Sequence, residues 1–325
     1  MKKIIALLLI FTLLNSYSSV CFSEPNDSKN NNISNCYEPT DFSDPKSWKA
    51  NENFLEDTLL NGTILNIEDM GSYLKRNGKS SDFSSKVYKV DLDGGIEAVF
   101  KVSDSYQSSL AEIAAYRISK ELDFFYVPPT VSRNILIDGE IKTGTLQLFI
   151  STDIDLCAIE DEDEFIEYLK NNTNRIDLEN FKIYNFVFGQ WDVGGPNLFI
   201  KNGMPISFDN EHILDLSYFP SYGEMPVVLR KEIPKNNWKL IKVNWEYKTM
   251  WFQTRDFSTR EFCTYCDYIP ACTKKIFEKI NIDNLKRWFD YDLHNNNQDF
   301  QGWLDKIFKS ILDRIDMLKL NKLDH

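Results

Sequence analysis

The feature that most constrains the fold of this chain is a change of hydrophobic periodicity along its length. Residues 86–93 and 96–102 alternate apolar and polar side chains on either side of Asp93-Gly94-Gly95, which is the pattern of a β-hairpin. Residues 109–122 then place apolar side chains on one helical face. The first part of the chain is therefore expected to be a small antiparallel sheet with one helix.

The rest of the chain is predicted to be mainly helical. Further strands are expected over 134–137 and 144–150, after an extended segment that begins at Val127. A hairpin over 197–209, with Asn202-Gly203 at its turn, interrupts the helices. Those helices are predicted at 163–171, 178–189, 226–231, 237–252, 272–280, 282–290 and 298–320. This order predicts a two-lobed α+β protein with a β-rich N-lobe over 53–150 and a helical C-lobe over 151–325.

The N-terminus has the three parts of a secretory signal peptide. Lys2 and Lys3 precede an apolar run that ends at Leu14, and small polar residues follow up to Ser23. We expect residues 1–23 to be removed on export, with a short N-terminal anchor as the alternative. Residues 24–52 are polar and predict a flexible leader. No later stretch is long and apolar enough to span a bilayer, so no stable membrane span is expected.

The charge of the chain argues against a nucleic-acid partner. The formal net charge is −12, and removing Lys2 and Lys3 from the 37 basic residues leaves 35 against 49 acidic ones, or −14. Proteins that grip phosphate backbones show the opposite balance. A chain with 3 histidines also has few ligands for a histidine-rich zinc site. The sequence does not determine the oligomeric state.

The cysteines leave two interpretations open. An exported chain can keep disulfides, and after loss of Cys21 an odd number of cysteines remains, so one is left over. The spacing Cys263-x2-Cys266-x5-Cys272 also resembles part of a zinc site. A disulfide is favoured because no fourth ligand lies nearby. The connectivity among Cys36, Cys157, Cys263, Cys266 and Cys272 is not determined by sequence.

Five polar residues supply the kinds of side chain that phosphoryl transfer needs. Lys101 ends an apolar strand and Glu112 lies in the next helix. Asp192 and Asn197 stand five apart in a predicted loop, and Asp209 closes the following hairpin. A strand lysine neutralises phosphates, a helix glutamate holds that lysine, and carboxylate and amide oxygens bind a divalent metal.

With these residues the chain resembles the atypical kinase superfamily that includes type II phosphatidylinositol 4-kinases, HipA-type kinases and secretory-pathway protein kinases. The resemblance covers about residues 80–213. It implies a two-lobed protein-kinase-like fold that binds ATP with Mg²⁺ or Mn²⁺. The segments that carry it are 84–101, 111–118, 127–131, 144–150, 189–197 and 208–211.

The resemblance also implies a role for each site residue. Lys101 would contact the nucleotide phosphates, Glu112 would pair with it, and Asp192 would be the catalytic aspartate. Asn197 and Asp209 would bind the metal. The remaining residues would hold the nucleotide: Ser80, Ser81, Ser84 and Ser85 in a phosphate-covering turn, and Gln147, Phe149 and Ile150 at an interlobe hinge that reads adenine through its backbone.

The sequence departs from the family directly after Asp192. The family has Asp-Arg-His-x-x-Asn, whereas this chain has Asp192-Val-Gly-Gly-Pro-Asn197. The expected function is an exported kinase that transfers the ATP γ-phosphate to a hydroxyl, on protein in preference to phosphoinositide because the chain is strongly acidic. The alternatives are an inactive kinase-fold binding module, which the absent basic pair favours, and a kinase fold that transfers AMP.

Overall fold

The structure, a computed structural model, combines an antiparallel sheet in the first part of the chain with helices and short strands in the second. It describes residues 41–78, 85–151, 159, 162–190, 197–214, 227–229, 243–244, 249–250, 253–256, 261–266, 276–294 and 297–320. The predicted signal peptide, which contains Cys21, lies outside the described residues. Cys36 lies outside them as well.

Five strands of the first part form one antiparallel sheet in the order β1-β2-β3-β5-β4. They are β1 (Ile64–Asp69), β2 (Val87–Leu92), β3 (Glu97–Val102), β4 (Thr130–Ile137) and β5 (Glu140–Leu148). A long helix, Tyr106–Glu121, connects β3 to β4. This strand order, with a helix between the third and fourth strands, is that of the small lobe of protein kinases. The prediction of a two-lobed, protein-kinase-like α+β fold is confirmed.

The predicted β2–β3 hairpin forms because its turn residues tolerate a left-handed backbone. Gly94 and Gly95 have φ angles of 70° and 75°, which side chains other than glycine rarely adopt. The alternation then separates two faces of the sheet. Ala98 and Phe100 are fully buried in the core of the N-lobe, and Lys101 lies on the opposite face.

Eight helices lie wholly within the described residues. They are α1 (Pro45–Trp48), α2 (Glu52–Asn61), α3 (Met70–Arg76), α4 (Tyr106–Glu121), α5 (Glu162–Asn172), α6 (Arg175–Phe188), α7 (Ile282–Trp288) and α8 (Gln298–Leu320). The sequence predicted α4 to α8 within a few residues of these bounds. It missed α1, α2 and α3, because it expected a flexible leader over 24–52 and only one helix in the first part of the chain.

Residues 41–52, which the sequence assigned to a flexible leader, fold onto the sheet. Asp44 caps α1 by accepting a hydrogen bond from the backbone of Lys46 at 3.0 Å. Trp48 is 1% exposed and packs in the same core as Leu55 and Phe100. The polar composition that predicted a leader concealed one large apolar anchor, because a single buried tryptophan changes the average very little.

Two helices predicted in the C-terminal half are wrong, because short strands occupy the described parts of both ranges. The range 226–231 contains β8 (Val227–Leu229), and 237–252 contains β9 (Val243–Asn244) and β10 (Thr249–Met250). Valine and threonine lose side-chain freedom in a helix and favour strands, and pairing with neighbouring strands decides the outcome. The partner of β8 is β12 (Glu261–Cys266), which also pairs with β11 (Gln253–Asp256).

Other predictions in this half of the chain are only partly covered. Of 272–280, residues 276–280 are described, and 276 and 277 are helical. Cys263 and Cys266 lie in β12, whereas Cys157 and Cys272 lie outside the described residues, so the disulfide and zinc interpretations both stay predictions. Within the described part of the chain, none of the helices combines the length and apolar character needed to cross a membrane.

The packing of Trp48 predicts that residues 41–52 contribute to stability. Trp48→Ala should lower the free energy of unfolding by about 3–5 kcal/mol, because a large buried ring is lost and leaves a cavity. Phe54→Ala is the matched control, since Phe54 is 46% exposed, and it should cost less than about 1 kcal/mol. Urea unfolding of the three proteins measures both values. Equal midpoints for wild type and Trp48→Ala would contradict the role assigned to this segment.

Candidate active site

Lys101 occupies the central strand of the sheet, where its neighbours limit its movement. On β3 it lies opposite Val87 of β2 and Thr145 of β5. Its side chain is 17% exposed. A lysine this enclosed needs negatively charged partners, because burying an unpaired ammonium group is costly.

A close approach of β5 fixes the backbone at Lys101. At Gly144, a Cβ atom would lie 2.2 Å from the carbonyl oxygen of Lys101 and 2.8 Å from the ring of Phe100. Such distances are impossible for real side chains, so only glycine fits here. Gly144 therefore allows β5 to support the strand that carries the lysine.

Glu112 reaches Lys101 from helix α4. Ser105 begins this helix by accepting a hydrogen bond from the backbone of Ser108 at 3.1 Å. The Lys101 Nζ donates to Glu112 Oε1 at 3.5 Å, and the other carboxylate oxygen accepts the backbone N–H of Asn210 at 3.0 Å. Glu112 is 4% exposed. Through its two hydrogen bonds it joins the sheet to the segment that follows the C-lobe hairpin.

The predicted hairpin brings Asn197 and Asp209 together. It consists of β6 (Leu198–Lys201) and β7 (Met204–Ser207), so Asn197 precedes the first strand and Asp209 follows the second. The backbone N–H of Phe208 donates to the carbonyl oxygen of Asn197 at 2.9 Å. Residues that precede and follow an antiparallel hairpin meet at its open end, which explains how positions distant in sequence become neighbours.

Three carboxylates converge on the Lys101 ammonium group. Asp209 Oδ1 accepts a hydrogen bond from it, Glu211 Oε2 lies 3.0 Å from Nζ, and Glu112 Oε1 lies 3.5 Å away. An ammonium group has three N–H donors, so each carboxylate can take one. When all three carboxylates are ionised, one positive charge against three negative charges leaves the cluster with a surplus of two negative charges.

Burial and charge act against each other on the pKa values of this cluster. Burial alone lowers the pKa of Lys101, but the negative charges of Glu112, Asp209 and Glu211 outweigh it, so its pKa lies above the ordinary value. Burial raises the pKa of Glu112 to about 7, although the nearby Lys101 acts to lower it. The lysine is therefore charged at any physiological pH.

Helix α4 is held in place from two sides. On one side, Lys120 pairs with Glu56 of α2 at 2.7 Å. On the other side, Arg117 pairs with Asp290 at 2.6 Å, and Glu121 pairs with Arg287 of α7 at 2.7 Å. These contacts fix the helix, and with it the position of Glu112 beside Lys101.

The structure brings together three of the site residues that the sequence predicted, and the backbone of a fourth adjoins them. Lys101, Glu112 and Asp209 are in direct contact, and Asn197 meets the residue before Asp209. The predicted catalytic residue Asp192 lies outside the described residues, as do Ser80, Ser81 and Ser84. Their roles stay predictions.

The predicted phosphate-covering turn and hinge are partly described. Ser85 is half-buried just before β2. Gln147 lies within β5, and its side chain donates to Thr130 Oγ1 at 2.8 Å. The N–H of Phe149 donates to the carbonyl oxygen of Glu97 at 2.9 Å, and Ile150 is buried in the core. The strand predicted over 144–150 thus ends at Leu148, within the predicted hinge, and the Phe149 N–H bonds to β3 of the sheet.

Two residues near the site were not singled out by sequence. Glu211 lies two residues after Asp209, and this spacing was the only feature of the sequence that could have indicated its contact with Lys101. Gln190 is 4% exposed, and its Nε2 donates to the carbonyl oxygen of Asp209 at 3.0 Å. Since Gln190 is two residues before Asp192, it ties the start of the predicted catalytic loop to the segment that carries Asp209.

The residues present fit a magnesium-type cation site. Asp209 and Asn197 offer a carboxylate and an amide oxygen, which are hard donors, and Mg²⁺ commonly takes one or two carboxylates together with water and substrate phosphates. No group of three or more histidine, cysteine, aspartate or glutamate side chains with metal-binding geometry occurs among the described residues.

Comparison with known proteins gives structural likenesses only. No protein-family model matches the chain, and no curated protein matches its sequence. A hydra Fam20 structure with sugar has a TM-score of 0.41 and 13% identity, covering 83% of this chain and 90% of that one. A Golgi casein kinase with Mn/ADP bound has a TM-score of 0.39 and 12% identity, covering 84% and 77%.

Another Golgi casein kinase structure has a TM-score of 0.30 and 15% identity, and the match covers 51% of this chain and 58% of that one. The chain thus spans little more than half of that protein. The fold is therefore assigned from the strand order and the position of α4, and not from these structural likenesses. The narrower likeness to type II phosphatidylinositol 4-kinases and HipA-type kinases stays a prediction.

The contact between Lys101 and Glu112 predicts coupled stabilities. Lys101→Met should lower the free energy of unfolding by about 3 kcal/mol, because it leaves buried carboxylates without their cation. Adding Glu112→Gln should recover at least about 1 kcal/mol of this loss. In the control pair, Lys89→Met and Glu112→Gln should be additive within about 0.5 kcal/mol, since Lys89 pairs with Asp91 and Glu97. Equal coupling in the two pairs, from urea unfolding, would show that the contact is not specific.

Proposed function

We propose that this chain is an exported, ATP-dependent phosphotransferase of the protein-kinase-like fold. The observation that carries the proposal is the convergence of Lys101 from the sheet, Glu112 from α4 and Asp209 from the hairpin on one point. These three side chains are the ones that hold nucleotide phosphates and metal in phosphoryl transfer. Bringing several charged side chains together in a partly buried place contributes little to folding stability, which supports a functional role for this arrangement.

The proposed reaction transfers one phosphoryl group. The oxygen of an acceptor hydroxyl attacks the γ-phosphorus of ATP, the bond from that phosphorus to the β,γ-bridging oxygen breaks, and ADP leaves with the bonding electrons. The hydroxyl proton passes to the carboxylate of Asp192. Lys101 neutralises charge on the phosphates, and Glu112 keeps the ammonium group in position.

Asn197 and Asp209 are the proposed ligands of Mg²⁺ or Mn²⁺. When bound, such a cation supplies positive charge beside the phosphate oxygens. The remaining proposed nucleotide contacts are those of the predicted turn and hinge: Ser80, Ser81, Ser84, Ser85, Gln147, Phe149 and Ile150. This hinge would read adenine through backbone groups other than the Phe149 N–H, because that N–H already bonds to Glu97.

A protein acceptor is preferred to a phosphoinositide. The chain carries a net charge of −12, and anionic lipid surfaces repel acidic proteins. Export through the predicted signal peptide, residues 1–23, belongs to the same proposal. An exported protein of this kind meets its acceptor outside the compartment in which it is made.

An inactive binding module is the second candidate. The observation that favours it is Val193-Gly194, which stand where the related kinases have Arg-His. Such a module keeps Lys101, Glu112 and Asp209 and binds nucleotide without turnover. Transfer of AMP is a further alternative, in which the nucleotide lies reversed in the cleft.

Labelled ATP distinguishes these functions. We expect purified protein with Mn²⁺ or Mg²⁺ to transfer label from γ-labelled ATP to an added protein acceptor, and none from α-labelled ATP. Transfer of the α label would indicate AMP transfer. Binding of ATP without transfer of either label would support the inactive module and contradict the kinase proposal.

Replacement of Asp192 tests its proposed role in the same assay. Asp192→Ala should reduce turnover by about 10²-fold or more, which is the contribution of a positioned general base. Its affinity for ATP should change little, because Asn197 and Asp209 remain. Asp177→Ala is the control, since Asp177 lies in α6 outside the proposed site. Equal turnover for wild type and Asp192→Ala would remove Asp192 from the mechanism.

Replacement of Asp209 tests metal-dependent binding independently of turnover. Asp209→Asn should abolish the increase in melting temperature that ATP with Mn²⁺ produces, because a neutral amide binds a hard cation poorly. Without ligand, its melting temperature should stay within about 2 °C of wild type, since the change also relieves repulsion among three carboxylates. Thermal denaturation with and without EDTA measures both. A metal-dependent shift of wild-type size in Asp209→Asn would exclude this residue as the ligand.

A further inference from the structure

The contacts of Glu211 go beyond what the fold requires. Its Oε2 lies 3.0 Å from Lys101 Nζ, closer than the 3.5 Å between that atom and Glu112 Oε1. Glu211 begins a short 3₁₀ turn, Glu211–Leu214, whose Ile213 is buried in the C-lobe core. The backbone of Glu211 is therefore anchored beside α4, and its side chain, 24% exposed, reaches the lysine.

The three carboxylates around Lys101 are not equivalent. Glu112 is deeply buried and holds the backbone N–H of Asn210 with its second oxygen, so it cannot leave without exposing an unpaired amide. Asp209 is the proposed metal ligand. Glu211 neither anchors the Asn210 backbone nor serves as the proposed metal ligand. It accepts a hydrogen bond from one of the three N–H donors of the ammonium group.

A nucleotide phosphate needs the place that Glu211 occupies. With all three Lys101 donors facing carboxylates, a phosphate oxygen reaches the ammonium group only if one carboxylate withdraws. The carboxylates also outnumber the single ammonium group, and this net negative charge repels a free triphosphate in a partly buried site. A divalent cation bound with the nucleotide removes that repulsion by neutralising part of the triphosphate charge.

We propose that Glu211 is a specificity-determining residue that makes the site accept a nucleoside triphosphate only in its metal-bound form. In the empty site Glu211 holds the position of a phosphate on Lys101, and it yields that position when the nucleotide arrives with its cation. The inference rests on the proposed nucleotide site and names the form of nucleotide that this site takes.

Nucleotide affinity with and without metal tests the inference. Binding of ATP is measured by titration calorimetry in EDTA and in excess Mn²⁺, for wild type and for Glu211→Gln, which keeps the shape of the side chain and removes its charge. We expect Glu211→Gln to bind metal-free ATP at least about 10-fold more tightly than wild type, and Mn²⁺-ATP within about 3-fold of wild type. No turnover is needed for this measurement.

Asp104→Asn is the matched control. Asp104 lines the same small recess as Lys101, Glu112 and Glu211, but the ion pairs of Lys101 are with the other three carboxylates. It removes the same charge without touching the ammonium group, so its metal-free affinity should stay at the wild-type level. An equal gain in Asp104→Asn and Glu211→Gln would overturn the proposal in favour of a general charge effect.

The remaining outcomes separate this inference from the proposed function. If wild type binds Mn²⁺-ATP and Glu211→Gln gains no metal-free affinity, Glu211 does not hold the phosphate position and only this inference fails. If wild type binds ATP under neither condition, both fail. Glu211→Ala repeats the test should Glu211→Gln fold poorly, and the melting temperature of each variant without ligand verifies that it is folded.

Discussion

The ammonium group of Lys101 is the point on which the arrangement of this protein depends. It lies at the centre of the sheet, and its partners come from α4, from the end of the C-lobe hairpin and from the turn that follows. Each partner carries negative charge into a partly buried place, which is unfavourable without the lysine. This one cation therefore joins the sheet to α4 and to the end of the C-lobe hairpin, and removing it affects the stability of these regions together.

The local elements of the N-lobe were readable from sequence because they depend on local chemistry. The alternation in β2 and β3 and the two glycines of their turn specify a hairpin with little help from the rest of the chain. Helix α4 was equally visible, since it buries one face against the C-lobe core. Such patterns survive because burial on one face imposes a period of two or of 3.6 residues.

The errors arose where tertiary contacts outweigh local preference. Trp48 anchors a polar segment through one side chain, which no average over the segment can detect. The aromatic and β-branched residues of 226–252 suited either a helix or a strand, and pairing with other strands decided.

The candidate site divides in the same way. Lys101, Glu112 and Asp209 were predicted because their types and order match a known chemistry. Glu211 and Gln190 were missed because their contacts with Lys101 and Asp209 exist only in the folded chain.

The ties between α4 and the C-terminal helices have a consequence for how the site comes into being. Arg117 and Glu121 find their partners at Asp290 and Arg287, far along the chain. Glu112 is thus held in place by residues that leave the ribosome long after it does. A nascent chain that has completed only its sheet lacks the clamp on α4, and a fragment cut after the sheet would lack it permanently. The pocket around Lys101 is therefore a property of the finished molecule, and its clamp on α4 can form only after the C-terminal helices have been made.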